Sequence, residues 1–424
     1  MKSTLPFSFR GAAGALGAQS SQAAGSFVML TIAARTLDLE GLGRLAVLYG
    51  VLVLCAALAS GFVGDSLTVL DRASRPLRAG LELWLLILGG GSAVVVPFIC
   101  LITGFTSPVE SLLLSVLIAT FVGAEIMRRV LMANLLFPRI VVSDTVSLVI
   151  GVVVIVLWAG SGQLSLAAFL LGFGLGRLGA TVCSILLIPA SERFLVPLRE
   201  ADWRAVAAYG SWRAAQATLR PALMTGIRLS LVFIVALAAA GQLEIARIYA
   251  APAMLCVGGM SSYLFASFAR AKTSSMRRML AQADRGVVIL LLATMAITAV
   301  ALAALPVTGE LLTGSDPDFM AVLGWLAYAT SAAAVTPYGA LAAVRASPRR
   351  VFTIRLLDTT VSLGAVVVVL QLTGAFELAP LVAAIGSVAG GIALRFFLLA
   401  PLARVDEDNT FTTSLHGRQL GTHV

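Results

Sequence analysis

Apolar residues in this chain fall into long unbroken runs separated by short polar breaks. Leu148 to Trp158, for example, reads LVIGVVVIVLW. Such runs lack the alternation of a transmembrane barrel strand. Together with their flanks they approach the roughly 20 residues a helix needs to cross a bilayer. The pattern predicts twelve helical spans, at 11–34, 42–64, 81–103, 109–127, 140–159, 164–188, 213–240, 246–266, 287–305, 320–344, 351–374 and 376–400. The expected class is an all-α membrane protein of about twelve transmembrane helices. The first run follows Lys2 and Arg10, is interrupted by Gln19, Ser20, Ser21 and Gln22, and continues to Ala34. A cleaved signal has a compact apolar region instead, so this segment is read as a retained first helix.

Composition sharpens the picture. Apolar types make up 59% of 424 residues, charged types only 12%, and the mean hydropathy is +0.97. A soluble domain carries about a quarter charged residues, and a soluble surface with patches this apolar would aggregate. Soluble enzyme, nucleic-acid binder and disordered chain are therefore excluded as readings of the whole. The net charge of +9 then belongs to the loops. With the N-terminus inside, 22 of the 30 basic residues fall in segments on one side, including Arg75, Arg128, Arg129, Arg277, Arg349 and Arg404. Cytoplasmic loops collect Lys and Arg, so both termini are expected in the cytoplasm.

The polar stretch Pro189 to Val206 divides the spans six and six. The expected organisation is a lobe at 1–188, a cytoplasmic linker at 189–206, a lobe at 207–400 and a disordered tail at 401–424. Six spans per half leaves the halves in the same orientation, as in parallel-repeat transporters. A faint echo of Leu39 to Leu45 in Leu243 to Ile248 is consistent with duplication.

Soluble-enzyme chemistry is missing from the sequence. Gly174, Gly176 and Gly179 match a dinucleotide fingerprint formally, but that fingerprint needs a preceding strand. Within an apolar helix, Gly172 and Gly176 read as a close-packing face. The only histidines, His416 and His423, lie in the tail, and the four cysteines sit inside apolar runs. With no nucleophile–base set, no Walker motif and no metal spacing, neither an enzyme nor a cofactor is expected.

Polar residues at depth are the informative ones, because an intramembrane charge is costly unless paired or hydrated. Gln19, Gln22 and Ser26 share one face of the first helix, which suits a cavity wall or interhelical hydrogen bonds equally. Arg355 and Arg395 lie near helix ends and read as snorkelling. Arg177 and Arg228 lie deeper, as a structural ion pair or as an anion site. Asp358, followed by Thr359 and Thr360, either pairs with Arg355 or binds a coupling cation.

Ala33 to Ala46 (AARTLDLEGLGRLA) resembles the first-helix exit of polysaccharide-export flippases of the O-antigen and teichoic-acid type, and Gly64-Asp65-Ser66-Leu67-Thr68-Val69 is similar to the segment after their second helix. The resemblance implies the multidrug/oligosaccharidyl-lipid/polysaccharide exporter fold, with two six-helix lobes around a central cavity. It implies transbilayer movement of an undecaprenyl-diphosphate-linked glycan in the inner or plasma membrane. Implied partners are that lipid-linked glycan, Na⁺ or H⁺ as coupling ion, membrane lipids, and glycan polymerases or glycosyltransferases. Drug exporters of this superfamily often carry an acid in helix one, which is lacking here, and lipid II flippases have helices beyond twelve. A cation-coupled drug antiporter and a non-transporting scaffold in glycan assembly are the alternatives. Expected substrate contacts are Arg228, Arg177, Arg35, Gln19 and Gln22, and the expected ion-coupling residues are Asp358 and Thr359.

Overall fold

The computed structural model describes residues 9–70, 74–162, 164–192, 197–271 and 275–404. Among these no strand occurs and helix follows helix: α1 (Phe9–Thr36), α2 (Leu39–Gly64), α3 (Arg75–Ile102), α4 (Pro108–Ala133), α5 (Phe137–Ala159), α6 (Leu166–Leu187), α7 (Trp203–Ile234), α8 (Leu237–Arg270), α9 (Met276–Thr313), α10 (Phe319–Arg345), α11 (Pro348–Thr373) and α12 (Phe376–Arg404). Each expected span has its helix. Eleven are long and apolar enough to cross a bilayer; the remaining one, α1, carries the polar stretch Gln19 to Gln22. The tail residues 405–424 and linker residues 193–196 lie outside the described residues.

Helix ends depart from the expected spans for local reasons. Charged residues stop an apolar run without stopping a helix, since Arg, Glu and Gln are good helix formers. Thus α9 starts at Met276, eleven residues before its expected span, and runs for 38 residues. Arg128 and Arg129, expected in a loop, belong to α4. Between α7 and α8 the error is reversed. The turn is Val235–Ala236, as apolar as its neighbours, so the expected break at 240–246 came too late. Glu244 and Arg247 consequently lie inside α8. Where caps are present they are polar: the Asp38 side chain accepts from the Gly41 N–H at 2.9 Å, and Ser107 with Glu110 forms a reciprocal capping box at α4.

The chain divides into two compact units. One comprises 1–248, 307–318 and 370–376; the other comprises 249–306, 319–369 and 377–424. In the first unit α5 and α6 pack side by side, α6 also lies on α4, α1 lies on α5, and α7 lies on α2. Gly176 allows the α5–α6 approach, because a Cβ there would stand 2.5 Å from the Ser147 carbonyl oxygen. The close-packing reading of that glycine therefore holds. In the second unit α10 and α12 are the main pair.

The tightest helix crossing in the first unit joins the two sequence halves. The first turns of α2 and α8 meet reciprocally: Gly43 sits on the Leu237 carbonyl, and Gly241 sits on the Leu39 carbonyl. Each helix presents a leucine followed four residues later by a glycine, so the contact has local two-fold character and pairs Leu39 with Leu237. The echo in sequence had aligned Leu39 with Leu243, six residues away. Any side chain at Gly43 or Gly241 would overlap backbone that cannot move aside. Gly241→Leu is expected to destabilise the protein by about 2 kcal/mol or more, read as a lower unfolding temperature in detergent. An unchanged melting profile would show that the crossing is loose.

Candidate functional site

Buried charge in the first unit gathers in two places, and the first is where α1, α4, α5 and α6 meet. Arg128 and Asp144 are both buried, and Arg128 Nη1 lies 2.6 Å from Asp144 Oδ2. The same Oδ2 accepts from Ser21 Oγ at 2.6 Å, while Arg128 Nη2 donates to the Ala18 carbonyl at 2.7 Å. One carboxylate thus ties α1, α4 and α5 together. One turn earlier on α4, Glu125 accepts from Arg129 Nε at 3.3 Å and from Gln22 Nε2 at 3.4 Å, with Ser60 Oγ at 3.5 Å. Asp65 continues the chain, 3.9 Å from Arg129 Nη1 and 2.7 Å from Arg213 Nη2 on α7.

Arg177 of α6 stands apart from these pairs. Its guanidinium lies 4.6 Å from the centre of the Phe121 ring, a cation–π arrangement. Among the described residues no carboxylate lies within ion-pair distance of it. Arg177 and Asp144 together line two adjoining small clefts, with room for about 20 Å³ and 10 Å³ of solvent. Ser21, Gln22, Ser147 and Phe173 line the larger, and Arg128, Ser143 and Ser184 the smaller. Phe121 and Phe173 flank Tyr49, whose hydroxyl lies 3.0 Å from Ser26 Oγ.

Arg228 is held by a second cluster. Glu244 is 2% exposed and Arg228 7% exposed. Arg228 donates to Glu244 Oε2 through Nη2 at 3.0 Å and Nε at 3.3 Å. Arg247 grips the other oxygen through Nε at 2.8 Å and also through Nη2. Two guanidinium groups share one carboxylate, which leaves the triad positively charged. Arg228 is thus ion-paired, with a carboxylate sixteen residues away across the α7–α8 turn.

The remaining expected site residues are dispersed. Gln22 meets Glu125 and lines the larger cleft; Gln19 is half-buried on the same helix. Arg35 is exposed at the end of α1 and donates to the Leu311 carbonyl at 3.0 Å. In the second unit, the Asp358 carboxylate lies on Gly390 of α12, where a Cβ would stand 2.5 Å from Asp358 Cγ, and Ser362 Oγ is 3.4 Å from Oδ1. Thr359 is half-buried beside it. No group of three His, Cys, Asp or Glu side chains suited to a metal converges among the described residues. Arg395, read as snorkelling, is instead clamped by Asp284, with both contacts at 2.9 Å, and the Tyr338 hydroxyl donates to the same carboxylate at 2.8 Å.

Asp144, Glu125 and Glu244 were not singled out from sequence. Each makes its tertiary contacts with residues from a different helix. The one signal available was an acid inside an apolar run with an arginine three or four residues away, which fits Glu125 with Arg129 and Glu244 with Arg247.

No family model matches the chain, and no curated protein matches it in sequence. Its fold, however, is that of solved membrane transporters. A structure described as the lipid II flippase MurJ in an inward closed conformation matches with a TM-score of 0.68 at 11% identity, over 94% of this chain and 92% of that one. An inward-facing multidrug resistance MATE family transporter of the MOP superfamily matches with a TM-score of 0.63 at 11% identity, over 92% and 96%. An outward-facing structure of such a transporter gives 0.63 at 12%, over 93% and 95%. The chain is thus a multi-pass membrane protein with the MATE and MurJ fold, and these neighbours are transporters and a flippase rather than enzymes.

Proposed function

We infer that the protein is an alternating-access transporter that moves a polyprenyl-diphosphate-linked oligosaccharide or polysaccharide precursor across the cytoplasmic membrane. The observation that carries this reading is the excess of arginine over carboxylate inside the first unit. Arg128, Arg129, Arg177 and Arg213 stand against Asp65, Glu125 and Asp144, and Arg228 and Arg247 stand against Glu244. A diphosphate crossing a bilayer needs fixed positive charge along its route, and arginine offers forked donors that stay charged at any working pH. A cationic drug would gain nothing from that excess.

Arg177 is the proposed first contact for the diphosphate, because it lines both clefts without a carboxylate of its own. Arg228 acts with Arg247 through Glu244 as a positively charged patch. Gln19 and Gln22 contact glycan hydroxyls, and Arg35 receives the headgroup at the exit of α1. In this reading the halves 1–188 and 207–400 rock about a shared cavity, joined by the linker 189–206, with both termini cytoplasmic. Asp358 and Thr359 couple the cycle to Na⁺ or H⁺, and glycosyltransferases or a polymerase act before and after it.

The test is delivery of lipid-linked glycan to the outer surface in cells lacking their own flippase. The wild-type chain is expected to restore delivery, and collapse of the ion gradient to stop it. Asp358→Asn should insert normally yet lose the gradient-dependent part. Restoration of drug resistance without glycan delivery would favour the second reading, cation-coupled export of small molecules. The buried carboxylate Asp144, which lines both clefts, is what favours that alternative.

A further inference from the structure

We propose that the end of the second unit where α9 and α11 begin and α10 and α12 finish is a docking surface for the headgroups of anionic phospholipids. An apolar cluster fixes the geometry of this end. Met276, Met279 and Ala283 of α9, Leu341 and Ala342 of α10, Val351 of α11, and Leu398, Leu399 and Ala403 of α12 are buried in it together. The four helix ends therefore share one face of the unit. Arg345 adds a polar tie by donating to the Ala271 carbonyl at 2.7 Å.

Around that cluster the exposed charged side chains of the described residues are all basic. Arg277, Arg278 and Arg285 on α9, Arg345 on α10, Arg349 and Arg350 on α11, and Arg404 on α12 all face solvent. Among the described residues of this end, the only carboxylate is Asp284, and it is held by Arg395 and Tyr338. Seven arginines thus face solvent at an end where the one carboxylate among the described residues is engaged by Arg395.

The helix termini make the imbalance sharper. An α-helix carries partial positive charge at its N-terminus and is stabilised there by acids and destabilised by bases. Both α9 and α11 have no acid in the first turn. Instead α9 places Arg277 and Arg278 there, and α11 places Arg349 and Arg350. A bound phosphate would be favoured there by the positive helix ends and by the exposed Arg278 and Arg350 together.

A lipid suits the surface better than a free anion. Leu357 is 60% exposed and Phe397 79% exposed, each one to two turns below the arginines on α11 and α12. A ligand with phosphate above and acyl chains beneath meets both. Clusters of four to eight arginines just outside a membrane-spanning helix have this affinity for acidic leaflets in general.

The experiment uses the purified full-length protein in detergent, offered equal amounts of phosphatidylglycerol and phosphatidylcholine, with retained lipid counted by native mass spectrometry. Retention of phosphatidylglycerol is expected to exceed that of phosphatidylcholine about tenfold, and to fall most of the way to parity in about 0.5 M salt. Arg278→Gln/Arg285→Gln/Arg350→Gln/Arg404→Gln should abolish the preference, and lysine at the same four positions should keep it. Inorganic phosphate at about 10 mM should leave the lipid bound, since it lacks the acyl chains. Equal retention of the two lipids would overturn the proposal, as would an undiminished preference in a helical, monodisperse glutamine variant. Displacement by inorganic phosphate would overturn it in favour of a soluble-anion site. The salt arm needs no variant, and none of these readouts depends on what the protein transports.

Discussion

Glu244→Ala will collapse the abundance of the folded protein. The substitution leaves Arg228 buried, and Arg247 partly buried, around a carboxylate that no longer exists. Removing one partner of a buried ion pair costs roughly 3–5 kcal/mol, and here two guanidinium groups lose their acceptor at once. The expected result is loss of most monodisperse protein in detergent and a large fall in membrane level. Glu244→Gln should be milder, because its amide oxygen can still accept one of the hydrogen bonds. Combining Glu244→Ala with Arg228→Leu should recover part of the loss, since one stranded charge goes with the carboxylate. If Glu244→Ala alone accumulates and melts like wild type, the triad is open to water and its role in holding α7 to α8 is wrong.

Arg177→Ala is expected to act in the opposite way, sparing the fold and removing function. Among the described residues Arg177 has no carboxylate at ion-pair distance, and it contributes chiefly its stacking on Phe121, a contact worth about 0.5–2 kcal/mol. Membrane levels should stay near normal. Glycan delivery should fall about a hundredfold, on the scale of one charge-assisted contact worth about 3 kcal/mol. Arg177→Lys should retain part of the activity, because the charge remains and the fork is lost. Full delivery by Arg177→Ala at normal abundance would leave this arginine as packing only.

Hydrophobic runs alone located the twelve long helices among the described residues, because a bilayer-crossing segment has nowhere else to put its apolar residues. What escaped was mostly where charged side chains find partners. Arg228 was visible as a deep arginine, but its partner was hidden by the Val235–Ala236 turn. Two apolar residues joining two apolar helices leave no polar mark. Arg128 looked like a loop residue because it stands beside Arg129 at the end of an apolar run. Its acceptors on α1 and α5 come from distant parts of the chain. The small-residue face of α6 was legible, since glycines four apart have one main use inside a membrane helix. The Gly43–Gly241 crossing was not, because its signal lies in two short stretches 198 residues apart that share only a leucine and a glycine.

The central claim is that the interior arginines serve an anionic, lipid-linked substrate. Its most direct test is reconstitution of the purified protein into vesicles carrying a fluorescent polyprenyl-diphosphate oligosaccharide, with movement between leaflets followed by quenching from outside. The account predicts protein-dependent movement of this lipid that is lost with Arg177→Ala, while the matching uncharged polyprenyl glycan moves little and a cationic dye is not pumped. Gradient-driven export of the cationic dye, with no movement of the diphosphate lipid, would contradict it.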